Sequence, residues 1–156
     1  MDNNLIANAG EFFVCAQLSK KGILTLLTPK NNPLFDIIAT DNLGSKHVAI
    51  QVKTMGIGNK QGWKLNKQIT VKKNNPNLFL ILVDLKEDGL NNFYVYLYDD
   101  FVDKVNETYQ EYITKPHART GEPKKDVSFR WFNYKDFKSQ DHSKKNKWDL
   151  IFDKLN

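Results

Sequence analysis

The sequence predicts a mixed α/β domain in which a central β-sheet is flanked by helices. Apolar residues recur at helical spacing near the start, and short apolar runs separated by turn residues follow. Leu78 to Leu85 is continuously apolar up to Asp84, as expected of a strand that is covered on both faces. At 156 residues, 40% of them hydrophobic, the chain is long enough for one core. We therefore expect residues 1–156 to form a single domain.

The first predicted element is a helix that runs from a cap at Asn3 or Asn4 to Lys21, where Gly22 ends it. Residues that share an apolar helical spacing should make its buried stripe: Leu5, Ala9, Phe12, Phe13, Ala16 and Leu18. Glu11 interrupts the apolar residues around it, so it is either a solvated residue at the edge of the stripe or a functional carboxylate.

A short strand, Ile23 to Leu27, should lead through the loop 29–33 into a β-hairpin. The hairpin's first strand covers residues 35–40, a turn follows at 41–44, and the second strand covers 46–54. Strand alternation divides the second strand between two faces. Val48, Ile50 and Val52 share one face, and His47, Ala49, Gln51 and Lys53 share the other.

Three polar side chains should meet at one edge of this hairpin. Asp36 opens the first strand, and Gln51 and Lys53 lie near the end of the second. An aspartate on an otherwise apolar strand costs stability unless something pairs with it, which is the argument for a site. A carboxylate and an amide oxygen can hold a hard divalent cation, and a neighbouring lysine can orient a water or stabilise developing negative charge.

At these residues the chain resembles the PD-(D/E)XK nuclease superfamily. The resemblance consists of Asp36 on one strand, Gln51-Val52-Lys53 on the next, and Glu11 on the preceding helix. It covers the first half of the chain. Two features depart from the usual pattern: no proline directly precedes Asp36, and Gln51 stands where a glutamate is commoner.

The resemblance implies a restriction endonuclease-like fold and Mg²⁺-dependent cleavage of DNA, with Mn²⁺ as a possible substitute. Asp36 would be the central metal ligand, Gln51 and the Val52 carbonyl would complete the inner shell, and Glu11 would bind directly or through water. Lys53 would position the attacking water. Because an amide is neutral, Gln51 leaves two carboxylates where a glutamate would give three, which favours one ion over two.

The remaining elements are predicted from pattern alone. Residues 63–65 and 67–73 can be strand or helix, and Gln68 is a possible auxiliary polar group. Phe93 to Tyr98 should be a strand with a tyrosine row that forms a packing surface. An acidic helix should begin at Asp99, a last strand should cover 127–132, and a terminal helix should begin near Trp148.

The charge pattern favours nucleic acid as the partner. Residues 42–83 hold seven lysines and no acid, and we predict Lys60, Lys64 and Lys67 as contacts. Residues 84–111 hold eight acids, so a basic protein partner is an alternative. A nuclease-fold protein that binds nucleic acid without cleaving it is a second alternative. A single small domain reaches one strand of a DNA duplex, and cleavage of both strands needs two sites. A homodimer is therefore a further expectation.

Several classes of protein are excluded. Cys15, the single cysteine, allows neither an internal disulfide nor a cysteine-built zinc site, and we expect it to be buried on the first helix. No apolar run is long enough to cross a membrane, and the first residues lack the pattern of a signal peptide. A cytoplasmic protein is the expectation. Phosphate-binding glycine loops and nucleophile elbows are absent from the sequence.

Overall fold

The computed structural model describes residues 2–30 and 32–156. Met1 and Asn31, the latter in the predicted loop before Asp36, lie outside the described residues. The helices and strands follow the chain in this order: α1 Asn3–Ser19, β1 Leu24–Leu27, β2 Ile37–Thr40, β3 His47–Met55, β4 Gly62–Asn66, β5 Leu78–Asp84, β6 Asn92–Leu97, α2 Tyr98–Ile113, β7 Phe129–Asn133, α3 Ser139–His142 and α4 Asp149–Leu155. Short 3-10 turns occupy Lys67–Thr70 and Tyr134–Asp136.

Five strands form the central sheet in the order β1-β2-β3-β5-β6. β3 and β5 are parallel, and the other neighbouring pairs are antiparallel. The predicted mixed sheet flanked by helices is confirmed.

The predicted antiparallel hairpin of β2 and β3 forms, with Ile37 opposite Ile50 and Thr40 opposite His47. β2 is four residues long, whereas β3 has nine. Residues 51–55 of β3 therefore extend past the start of β2 and pair with β5 on one side only. This open edge of β3 is where the candidate site forms.

A separate layer of side chains covers each face of the sheet. Val48, Ile50 and Val52 pack with α1 and α4 on one face. The other face packs against α2 and against the strands β4 and β7. Tyr94 and Tyr96 are buried in this second layer, so the tyrosine row is a packing surface, as the sequence predicts.

The buried side of α1 differs from the predicted stripe. Gly10, Val14 and Leu18 are the buried residues of the helix, whereas Leu5 is 60% exposed and Phe12 is 58% exposed. The three buried residues are spaced four apart and share one side of α1. That side faces the sheet because the glycine allows the helix to approach closely. Of the predicted stripe, only Leu18 is fully buried; Phe13 and Ala16 are also exposed, and Ala9 is half-buried. The cap is Asp2, whose carboxylate accepts from the Asn4 N–H, and the helix ends at Ser19.

β4 and β7 form a two-stranded antiparallel sheet, which we call the ribbon. Residues 63–65, left undecided by pattern, are thus a strand whose partner lies in 129–133. Gly62 has φ +146°, and a Cβ there would lie 2.3 Å from the Phe132 carbonyl oxygen. Glycine is therefore required for β4 to approach β7. None of the helices within residues 2–30 and 32–156 combines the length and apolar character needed to cross a membrane.

Candidate active site

Asp36 lies at the open edge of β3, directly before β2. Its Oδ2 accepts a hydrogen bond of 2.7 Å from the Val52 N–H, and its own N–H donates to the Ile50 carbonyl at 2.9 Å. The Thr28 hydroxyl donates to the Asp36 carbonyl at 3.2 Å. Because β2 no longer runs beside Val52, the carboxylate takes the place of a strand partner for that N–H. These bonds fix the aspartate at the edge.

The Val52 carbonyl faces the same edge. In a strand, the N–H and C=O of one residue point to the same side, and the Val52 N–H points to Asp36. The backbone thus directs a carbonyl oxygen toward the region of the Asp36 carboxylate. That oxygen is available as a neutral ligand for a hard cation.

Gln51 and Lys53 lie on the opposite face of β3 from Val52, as predicted. Both are half-buried, between the buried residues Ala49 and Met55 of the same face. Together they line a cavity of about 80 Å³. The remaining lining residues are Pro33, Asn66, Gln68, Ile69, Lys73 and Tyr98.

Glu11 approaches the edge from α1. Gly10 lies so close to β3 that an added Cβ would be 1.8 Å from the Thr54 Oγ1, and this contact places the neighbouring glutamate beside the sheet. Burial and the negative charge of Asp36 raise the pKa of the Glu11 carboxyl, while the positive charges of Lys53 and Lys30 oppose the rise. Glu11 therefore interacts electrostatically with both Asp36 and Lys53.

The structure relates the four predicted side chains in pairs, but the cavity that Gln51 and Lys53 line includes neither Glu11 nor Asp36. Asp36 accepts a hydrogen bond from the Val52 N–H, and Gln51 lines that cavity with Lys53. The charges of Asp36 and Lys53 both affect the pKa of the Glu11 carboxyl. Within the described residues, no three His, Cys, Asp or Glu side chains form a group that could hold a metal ion. A metal here would need the amide and carbonyl oxygens besides two carboxylates. This all-oxygen set suits Mg²⁺ or Mn²⁺, and two mutually repelling carboxylates would gain from a cation between them.

Several residues of this region could not be assigned to it from the sequence pattern. Lys30 acts on Glu11 through its charge, and Asn66, Lys73 and Tyr98 line the cavity. These residues come from separate segments, so no spacing in the sequence connects them. Gln68, considered as an auxiliary group, also lines the cavity.

The three lysines predicted to contact nucleic acid follow the site along the chain. Lys60 is exposed in the loop after β3. The Lys64 ammonium lies 4.4 Å from the centre of the Phe129 ring, and the Lys67 ammonium forms an ion pair of 2.5 Å with Asp126. Two of the three are therefore engaged within the chain.

Comparison with known proteins gives a structural relationship. No protein-family model matches the sequence, and no curated protein matches it. The solved structure of a bacterial homing endonuclease, I-Ssp6803I, is similar, with a TM-score of 0.57 over 99% of this chain and 94% of that chain. The two sequences are 15% identical, a level at which the likeness shows the fold alone. The five-stranded mixed sheet with its flanking helices is a nuclease-like fold.

Proposed function

We propose that this protein is a metal-dependent phosphodiesterase that cleaves DNA, with an active site of the PD-(D/E)XK type. The observation that supports the proposal is the Asp36 carboxylate bonded to the Val52 N–H at the open edge of β3, where Glu11 responds to the charges of Asp36 and Lys53. The similarity of the fold to that of a homing endonuclease supports DNA as the substrate. An excess of basic residues, with a net charge of +5, suits a phosphate backbone.

Each residue has a distinct role in this proposal. Asp36, Glu11, the Gln51 amide and the Val52 carbonyl would hold Mg²⁺ or Mn²⁺. The bound ion would polarise the scissile phosphate and lower the pKa of a water molecule. Lys53, half-buried beside this ligand set, would orient the water and stabilise the negative charge that develops on the phosphate.

Nicking of supercoiled plasmid in Mg²⁺ or Mn²⁺ tests the proposal. Asp36→Asn keeps an acceptor for the Val52 N–H but removes a charge, and Lys53→Met keeps the stem but removes the ammonium. We expect each variant to lose at least about 100-fold in rate. Asp153→Asn and Lys154→Met, both at exposed positions of α4, are matched controls. Wild-type rates in Asp36→Asn and Lys53→Met would exclude this site.

Metal binding can be measured without substrate. A ligand that binds only the folded state raises the melting temperature, so Mg²⁺ or Mn²⁺ should stabilise the wild-type protein. We expect the rise to disappear in Asp36→Asn and to persist in Asp153→Asn. An equal rise in both variants would place the binding elsewhere.

A protein that binds nucleic acid without cleaving it is the second candidate function. The observation in its favour is Gln51, a neutral amide in a site with two carboxylates. A gel shift with plasmid and single-stranded DNA, with and without metal, separates the two functions. Cleavage supports the enzyme, and a salt-sensitive shift without cleavage supports the binder.

A role in binding a basic protein through residues 84–111 has less support. Several of these acids pair within the chain: Asp84 with Lys86, Asp103 with Lys72, and Glu107 with Lys138. Ion pairs with lysines of the chain thus offset part of the negative charge of this segment. Neither a shift nor cleavage in the DNA experiments would favour this role.

We also propose that a second copy of the chain pairs with β1. This strand is an edge of the central sheet, and Leu24, Leu26 and Leu27 are 44–54% exposed. Such an edge, apolar and without charges, is suited to pairing with another strand, and a two-fold axis allows β1 to pair with itself. Analytical ultracentrifugation should show a dimer that Leu26→Lys converts to a monomer. A monomeric wild-type protein at high concentration would contradict this.

A further inference from the structure

A second, larger cavity lies away from the open edge of β3. It has a volume of about 460 Å³ and opens between the ribbon and the C-terminal half of α2, and we call it the ribbon cleft. β7 supplies one wall through Phe129, Trp131 and Asn133, which alternate with the buried Arg130 and Phe132. Its size is within the range of cavities that hold small molecules or a nucleotide.

Trp131 is the distinctive residue of the ribbon cleft. The other two tryptophans, Trp63 and Trp148, are 2% and 5% exposed, whereas Trp131 is half-buried and lines the cleft. An indole that is only partly buried forgoes part of the stabilisation that full burial would give.

The other aromatic rings of the cleft already carry cations. Arg130 lies 3.5 Å from the centre of the Tyr109 ring, Lys124 lies 3.9 Å from that of Tyr112, and Lys64 covers Phe129. Within residues 2–30 and 32–156, no aromatic or cationic partner is found for Trp131. Among the cleft's aromatic residues that the structure describes, Trp131 thus lines the cavity without a cation on its ring.

Four lysines and two acids line the same cleft. The lysines are Lys115, Lys124, Lys125 and Lys135, and the acids are Glu111 and Asp136. Glu111 is paired with Lys138 at 3.3 Å, and Asp136 accepts from Asn133 at 2.8 Å. With four lysines against two acids, the lining has an excess of positive charge that suits an anion such as a phosphate.

The ribbon connects this cleft to the candidate active site. Asn66, at the end of β4, lines the smaller cavity with Gln51 and Lys53, and it pairs across the ribbon with Phe129 of the cleft. Trp131 lies two residues beyond Phe129, about 7 Å along the strand. A nucleic-acid strand covers that distance with about two stacked nucleotides.

We propose that the ribbon cleft binds an unpaired nucleotide of a nucleic-acid strand, with its base stacked on Trp131 and its phosphate among Lys115, Lys124 and Lys125. In a continuous duplex both faces of a base are stacked, so a base on Trp131 must come from a single-stranded, mismatched or flipped position. The proposal deepens the proposed function, on which its choice of nucleic acid rests.

Binding in EDTA tests the cleft without cleavage. An oligonucleotide of about ten thymidines should quench the fluorescence of Trp131, the least buried of the three tryptophans, saturably and less strongly as salt rises. Loss of one stacked base should weaken binding by about 5- to 150-fold in Trp131→Leu, as measured by anisotropy of a labelled oligonucleotide. Trp131→Phe should restore part of the affinity. Phe12→Leu, at an exposed aromatic on α1, is the matched control.

A second set of binding measurements varies the lysines of the cleft and compares duplex with single-stranded DNA. Lys115→Gln with Lys125→Gln should weaken binding and reduce its salt dependence, whereas Lys145→Gln with Lys147→Gln should change it less. A fully paired duplex should bind without quenching Trp131. Unchanged affinity in Trp131→Leu, or equal quenching by duplex and single strand, would overturn the inference.

These outcomes are separate from those of the cleavage test. If the wild type nicks plasmid while Trp131→Leu binds single strands normally, the enzyme stands and the cleft proposal fails. If single strands quench Trp131 but no metal supports cleavage, the cleft stands and the phosphodiesterase proposal fails.

Discussion

The neighbouring strands β3 and β5 run parallel in the middle of the sheet, but their residues at equivalent positions differ in polarity and burial. All seven residues of β5 are buried, and its Leu80 and Leu82 stand in register with Gln51 and Lys53 of β3. An apolar pair could occupy the β3 positions as it does in β5. The polar pair is what the proposed active site would require of this part of β3.

The difference between the two strands has a structural origin. β5 has a strand on each side from Phe79 to Asp84, whereas β3 has no β2 partner beyond Ile50. The missing partner opens the edge that Asp36 and Glu11 approach. A short strand beside a long one thus makes room for polar chemistry inside an otherwise apolar sheet.

The largest expected effect is on stability, in β5. Ile81→Ala removes a fully buried side chain and should lower the free energy of unfolding by about 2–5 kcal/mol. Gln51→Ala, at the half-buried position on β3, should cost less than about 1 kcal/mol. Urea denaturation followed by circular dichroism measures both. Equal losses would remove the distinction between the strands.

Gly10→Ala should have the next largest effect. An added methyl group meets Thr54, so α1 must move away from β3, at a cost of about 1–3 kcal/mol. Phe12→Ala, which removes a far larger but exposed side chain from the same helix, should cost only about 0.5 kcal/mol. Melting curves of the two variants at low protein concentration decide the order. A more stable Gly10→Ala variant would refute the close contact.

Gln51→Leu makes β3 resemble β5. The leucine would join Ala49 and Met55 on the apolar face, and we expect the free energy of unfolding to rise by about 0.5–1 kcal/mol while plasmid nicking is lost. Denaturation and nicking assays on the same preparation measure both. A variant that loses stability as well as activity would show that Gln51 has a structural role.

The smallest expected effect concerns pH, measured with EDTA present. The pKa of Glu11 is raised in the folded state by burial and by Asp36, so the folded protein binds its proton more tightly than the unfolded chain. The contribution of Glu11 to stability is therefore fully present below its unfolded pKa and is lost as pH rises through the raised folded pKa. Glu11→Gln should lack this loss and should be slightly more stable near neutral pH. Identical pH profiles of the two proteins would contradict the interaction.

The parts of the fold that depend on local pattern were predictable. The alternation in β3 assigns Gln51 and Lys53 to one face, and the turn at 41–44 sets their strand beside Asp36. The buried run of β5 and the packing role of Tyr96 also follow from pattern. In each case the information lies within about ten residues of sequence.

The parts that depend on distant contacts were not predictable. The buried side of α1 is chosen by the fit of Gly10 against Thr54, and a glycine carries no hydrophobic signal. β4 looks ambiguous because its partner, β7, is more than sixty residues away. Cys15, expected to be buried, is half-buried for the same reason, since its depth depends on how α1 is rotated.

The distance in sequence between β4 and β7 also has a consequence for folding. Bringing Gly62–Asn66 to Phe129–Asn133 closes a long loop, whose entropy opposes early pairing, whereas β2 and β3 meet across a short turn. We therefore expect the ribbon to assemble late and to exchange its amide hydrogens sooner than the hairpin does. The wall that carries Trp131 would then be acquired only after the open edge of β3 has already formed.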